Sequence, residues 1–120
     1  MVVVKRDFRT LAKAAAAAAD DKKAEDVIVL DIRHESDVAD YMVIAGAQSS
    51  TQLGALSETV EGALQKRGMR VLHREGRSCG RWVALDYGGL IVHLLLADAR
   101  EFYRLENLLE KAKPVRWNSK

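Results

Sequence analysis

The chain has 120 residues, a formal net charge of +2, and 48% hydrophobic against 30% charged side chains, a balance suited to one globular domain burying roughly two thirds of its unfolded surface. Its longest apolar stretch, Leu90 to Leu96 interrupted by His93, is far short of the roughly 20 residues that span a bilayer, and so small a positive surplus does not suit a phosphate-tracking protein. The single cysteine, Cys79, excludes an internal disulfide, and the acid-containing first 26 residues resemble neither a secretory signal nor a transit peptide, so a cytoplasmic protein is expected.

Asp7 is placed to cap a helix running through Phe8, Leu11 and the alanine run Ala14 to Ala19. Helix propensity is high there but little area can be buried, which predicts a weakly anchored N-terminal arm. "DVIVLDI" (Asp26 to Ile32) and "YMVIAG" (Tyr41 to Gly46) are nearly all apolar and rich in β-branched residues, as strands covered on both faces should be. "RHESDVAD" between them reads as a polar connection. In "SSTQLGALSETVEGALQKRG", Ser49 and Gln52 have capping-box spacing, Leu53, Leu56, Val60, Ala63 and Leu64 recur with helical period, and Gly68 ends the helix.

A strand is predicted at Arg70 to His73, a glycine-bearing loop at "REGRSCG", a strand at Trp82 to Tyr87, a tight turn at Gly88-Gly89 and a strand at Leu90 to Leu96. Asp98, with Glu101 three residues on, is placed to cap a last helix whose stripe is Phe102, Leu105, Leu108 and Leu109 and which Pro114 stops. The order αββαβββα predicts an α/β (α+β) fold: a mixed five-stranded sheet with helices packed on it. The strand, helix, strand segment from Tyr41 to His73 argues for a parallel pair with a right-handed crossover. One domain is expected over residues 1–113, followed by a basic tail over 114–120.

Charge is unevenly spread. Glu25, Asp26, Asp31, Glu35, Asp37 and Asp40 face a single Arg33, whereas Lys66, Arg67, Arg70, Arg74, Arg77 and Arg81 face only Glu61 and Glu75. Two ends of opposite sign could steer a charged partner.

Signals for chemistry are weak. Cys79, between arginines in a glycine-flanked loop, has surroundings that would lower a thiol pKa, but nothing ties a base to it. His34, His73 and His93 lie on separate elements without metal-ligand spacing, so no metal site or cofactor is expected. His93, inside a buried strand, reads as a neutral histidine hydrogen-bonded to a neighbour. "GAQSSTQLG" opens a helix with free amides and hydroxyls, yet it lacks a P-loop lysine, and Ser49 and Gln52 are explained as caps. Two-metal nucleotidyl transfer would need aspartates two apart on the following strand. Asp37 and Asp40 are three apart and precede the turn.

The unusual segment is "GRWVALDYGGLIVHLLL". In a strand of period two, Trp82, Ala84 and Asp86 share one face and Val83, Leu85 and Tyr87 the other. An indole and a carboxylate then project together. Tryptophan often dominates binding at interfaces, and an acid beside it can pair with a basic partner.

"DVIVLDI", "DYMVIAGAQSSTQ", Glu75-Gly76, "WVALDYGGLIVHLL" and "REFYRLENL" together resemble, in order and spacing, the ribosomal silencing factor (Iojap-like) family over residues 26 to 109. The resemblance implies a nucleotidyltransferase-like core without catalytic carboxylates, hence no enzyme. It also implies a translation repressor that docks on the large ribosomal subunit through ribosomal protein L-fourteen and blocks joining of the small subunit. Thr51, Gly89 and Leu109 depart from the family's usual basic residue, aspartate and tryptophan.

On that footing the expected partner-binding residues are Trp82 as apolar anchor, Asp86 and Glu75 as acceptors for lysine or arginine, Tyr87 at the turn, and Arg81 and Tyr103 beside them. An exposed apolar sheet face often pairs with itself when its partner is absent, so a homodimer of the free protein fits this reading, as does a secondary contact with ribosomal RNA. The rival classes are a nucleotidyltransferase-like enzyme, which a nucleotide with Mg²⁺ would stabilise, and an RNA-binding ribosome assembly module, whose affinity would fall steeply with salt.

Overall fold

A computed structural model describes residues 7–35, 37–76, 80–99 and 112–118. The chain order is α1 (Phe8–Asp21), β1 (Glu25–Asp31), β2 (Tyr41–Ala47), α2 (Ser50–Gln65), β3 (His73–Glu75), β4 (Trp82–Asp86), β5 (Leu90–Leu96) and β6 (Lys113–Pro114). Among the described residues the strands form one six-stranded mixed sheet in the order β3-β4-β5-β2-β1-β6. The mixed sheet with packed helices is as the pattern predicted, with one strand more.

Both helix starts follow from their caps. The Asp7 carboxylate accepts from the Thr10 amide at 3.1 Å and from its hydroxyl at 2.7 Å, and these bonds hold its pKa below the usual value. Ser49 Oγ accepts from the Gln52 amide at 3.1 Å, while Gln52 Oε1 takes the Gln48 amide at 2.7 Å. The reciprocal box is therefore present, displaced by one residue on its return arm. Gly68, at φ +83°, ends the turn after α2 in the left-handed region.

α1 is not a loosely held arm. Ala12, Ala15, Ala16 and Ala19 are fully buried, with Leu11, in the main core beneath the sheet. Small side chains bury little area each, but they let the helix lie close to α2 and to β2. Phe8 extends the attachment, because its ring sits over Gly89, where a Cβ would lie 2.3 Å from the ring. A side chain at this position has no room unless the ring moves.

The one parallel pairing among the described strands is between β2 and β5, Tyr41 opposite Leu90 through to Ala47 opposite Leu96. The helix from β2 leads to β3, which lies two strands beyond β5, so the expected parallel pair is not adjacent. β3 also begins later than Arg70, at His73, because its partners are Asp86, Leu85 and Ala84 on β4. Leu72, before it, is 73% exposed.

The expected tail is part of the fold. Lys113 and Pro114 pair with Asp31 and Leu30 on β1, with the proline on an edge strand, where its missing N–H costs no ladder bond. The buried Val115 donates its amide to Val29 O at 2.8 Å, and the Trp117 indole donates to Val27 O at 3.2 Å. The predicted helix after Asp98 falls mostly on residues 100–111, outside the described residues.

Candidate docking face

Strand alternation sends Val83, Leu85, Val92, Leu94, Val43 and Ala45 under α1 and α2. The opposite side carries Trp82, Ala84 and Asp86 from β4, Ile91, His93 and Leu95 from β5, and Met42 and Ile44 from β2. This second face is not bare. Leu30, Ile32, Ala39, Ile44, Leu95 and Ala99 form a smaller buried cluster there, with Ile28, Met42, Trp82 and Ile91 partly covered around it. The opening lies towards the β3 side, where Glu75, Gly76, Trp82, Ala84 and His93 line a groove of about 290 Å³.

Backbone register explains the groove. Glu75 stands opposite Ala84, and Ala84 opposite His93, so the small alanine leaves space between an acid and an imidazole. Gly76 turns the chain back at φ +83°, and a Cβ there would lie 2.0 Å from the Trp82 carbonyl oxygen. Only glycine combines that backbone with that approach. Trp82 is half-buried, and its indole nitrogen donates to His93 Nδ1 at 3.0 Å, with ring centroids 5.5 Å apart and planes tilted by 58°. Burial pushes the His93 pKa down to about 4, so at neutral pH the ring is uncharged, and Nε2 carries its proton because Nδ1 accepts.

The predicted contact residues divide. Trp82 and Glu75 meet in the groove. The Glu75 side chain is 74% exposed, and its Oε1 lies 3.1 Å from His73 Nε2. Asp86 shares their face, opposite His73 on β3, but one oxygen already accepts the Gly88 amide at 2.8 Å and holds the turn. Arg81 is exposed and pairs with Asp98. Tyr87 does not join them: it is buried beneath the helices, 2% exposed, on the other side of the sheet. Burial pushes its hydroxyl pKa up to about 12, and that hydroxyl has no hydrogen-bond partner among the described residues. Tyr103, like Cys79, lies outside the described residues.

Three residues of the groove, Gly76, Ala84 and His93, are not among the contacts expected from the sequence. Period two and the Ala84 gap were the signals that could have found them. Arg74 pairs with Glu61, and Arg33 holds Asp31 through two bonds at 3.0 and 2.8 Å; both pairs lie within their own charged segment and leave its sign in place. That guanidinium holds the Asp31 carboxyl below its usual pKa. Among the described residues no group of three or more histidine, cysteine, aspartate or glutamate side chains could hold a metal ion, and no helix is long and apolar enough to cross a membrane.

Comparison with known proteins places this geometry in a family. Residues 5–119 match the family model described as "Ribosomal silencing factor during starvation". The chain is 39% identical over 100 residues to ribosomal silencing factor RsfS of Bacillus subtilis, covering 83% of this chain and 85% of that protein. It is 30% identical over 90 residues to the mouse protein named mitochondrial assembly of ribosomal large subunit protein 1, covering 72% of this chain and 40% of that one. A crystal structure of a Chromobacterium violaceum protein superimposes with a TM-score of 0.84 at 31% identity, over 92% of each chain.

Proposed function

The chain belongs to the ribosomal silencing factor family, and from that premise we propose that it silences translation in the cytoplasm by docking on ribosomal protein L-fourteen of the large subunit. A 13.3 kDa body held on the intersubunit side occupies volume that the small subunit needs. Inhibition follows from occupancy, with no bond made or broken. The observation that supports this most is the half-buried Trp82 beside the exposed carboxylate of Glu75, on the sheet face away from α1 and α2. An indole supplies apolar contact area and the acid an acceptor for a basic side chain, the combination that anchors many protein interfaces. Asp86, Arg81 and Tyr103 are proposed to contribute at the rim, and contact with ribosomal RNA is secondary. A second copy of the chain covers the same face when the ribosome is absent.

Gradient sedimentation of a cell extract containing the tagged chain tests the reading. The chain is expected with free large subunits, and purified protein added to separated subunits is expected to reduce their joining. Migration with small subunits alone, or joining that proceeds unchanged at saturating protein, would overturn it.

A further inference from the structure

Trp82 hangs on β4 by two rotatable bonds, and an indole on a half-open face can adopt several rotamers. His93 constrains this freedom. Its backbone lies in the middle of β5, paired on one side with Ala84 and on the other with Ile44, so the imidazole projects from a rigid base. Its Nδ1 takes the indole N–H at 3.0 Å, at the wall of the groove that both rings line. An indole nitrogen can only donate, so the bond requires an unprotonated Nδ1. A doubly protonated ring would set N–H against N–H.

We infer that His93 is a positioning residue, which fixes the Trp82 indole in the orientation that lines the groove and meets the docking partner. The inference rests on the docking reading of this face. It assigns the histidine a role through tryptophan rather than direct contact with the ribosome. It also accounts for a polar ring inside an otherwise apolar strand, where leucine would pack as well but offer no acceptor. The tautomer follows: Nδ1 accepts and Nε2 carries the proton.

The test uses the full chain labelled with ¹⁵N, in which two tryptophans, Trp82 and Trp117, give separate indole N–H signals. His93→Asn places an amide oxygen close to the Nδ1 position and keeps an acceptor; His93→Leu keeps much of the volume and removes it. In His93→Leu the Trp82 indole signal is expected to shift and its exchange with water to rise, while the Trp117 signal stays in place. Affinity for purified large subunits is expected to fall roughly tenfold in His93→Leu and by less than about threefold in His93→Asn, as loss and retention of one half-buried hydrogen bond require. A folded His93→Leu with an unmoved Trp82 signal overturns the inference, as does a released indole with unchanged affinity. Should the leucine variant not fold, the wild-type imidazole still decides, because a ring protonated at Nδ1 at neutral pH also overturns it. Failure of the docking reading is distinguishable, since Trp82→Ala would then bind large subunits as the wild type does.

Discussion

Gly76 and Trp82 are locked together through the backbone: a methyl group on Gly76 would lie 2.0 Å from the Trp82 carbonyl oxygen, and Gly76 itself is held at φ +83°. Both the clash and the left-handed conformation act against any side chain. Gly76→Ala is therefore expected to lower stability by roughly 2 kcal/mol and to disturb the groove. Chemical denaturation would measure the first effect and large-subunit affinity the second. Stability and affinity both unchanged would show that the loop can shift without loss.

Gly62 is the opposite case. It lies in the interior of α2, with nothing within 4 Å of where a Cβ would stand. The backbone there is helical, so alanine relieves the entropic cost of glycine without meeting a neighbour. Gly62→Ala is expected to raise stability by about 0.5–1 kcal/mol. A thermal melt of the two proteins side by side checks it.

Most of this architecture was legible because local chemistry and fold agree. Ser49, Gln52 and Gly68 mark the ends of α2, and the apolar runs of β2 and β5 appear as the parallel centre of the sheet. What failed to show depends on distant partners. The alanines of α1 look poorly anchored until α2 and β2 close over them. β3 starts at His73 because β4 sets its register, and nothing local moves it from Arg70. The candidate face is half legible: alternation places Trp82 with Asp86, but the same alternation buries Tyr87, which its position at the turn suggests as a contact.

Gly89 is held to glycine by Phe8, whose ring would lie 2.3 Å from a Cβ there. Gly89→Asp is expected to displace the ring and loosen the start of α1. In a Phe8→Ala background the same substitution is expected to cost less, so the double-mutant cycle should show a coupling of about 1 kcal/mol. Additive effects would show that Phe8 does not set the residue at the turn.

The C-terminal segment, expected as a basic tail over 114–120, packs against the sheet. Trp117 closes it onto β1 through the Val27 carbonyl, and β6 covers the outer edge of the sheet. Trp117→Phe keeps the ring but leaves that carbonyl without its donor, and about 1 kcal/mol of stability is expected to go. Removal of residues 113–120 does more, because it bares the β1 edge for pairing with other chains. Size-exclusion chromatography over a range of concentrations should show self-association rising in the truncated chain and not in Trp117→Phe.

His93 makes stability depend on pH in a definite window. Its pKa in the folded protein, pushed down to about 4 by burial, lies below the roughly 6.5 of an unfolded chain. Between these values the unfolded chain binds a proton that the folded chain does not, so stability decreases as pH falls from about 6.5 and levels off near 4. The full loss is on the order of 3 kcal/mol. Asp7 and Asp31, whose pKa values are lowered by bonds from Thr10 and Arg33 respectively, act in a different range. Their stabilisation is complete above the ordinary aspartate value of about 3.9 and fades only as pH drops below it. Urea midpoints measured at intervals from pH 7 to pH 4 should therefore decline in the wild type and decline less in His93→Asn, which has no imidazole to protonate. Equal slopes in the two proteins would mean that another group carries the dependence.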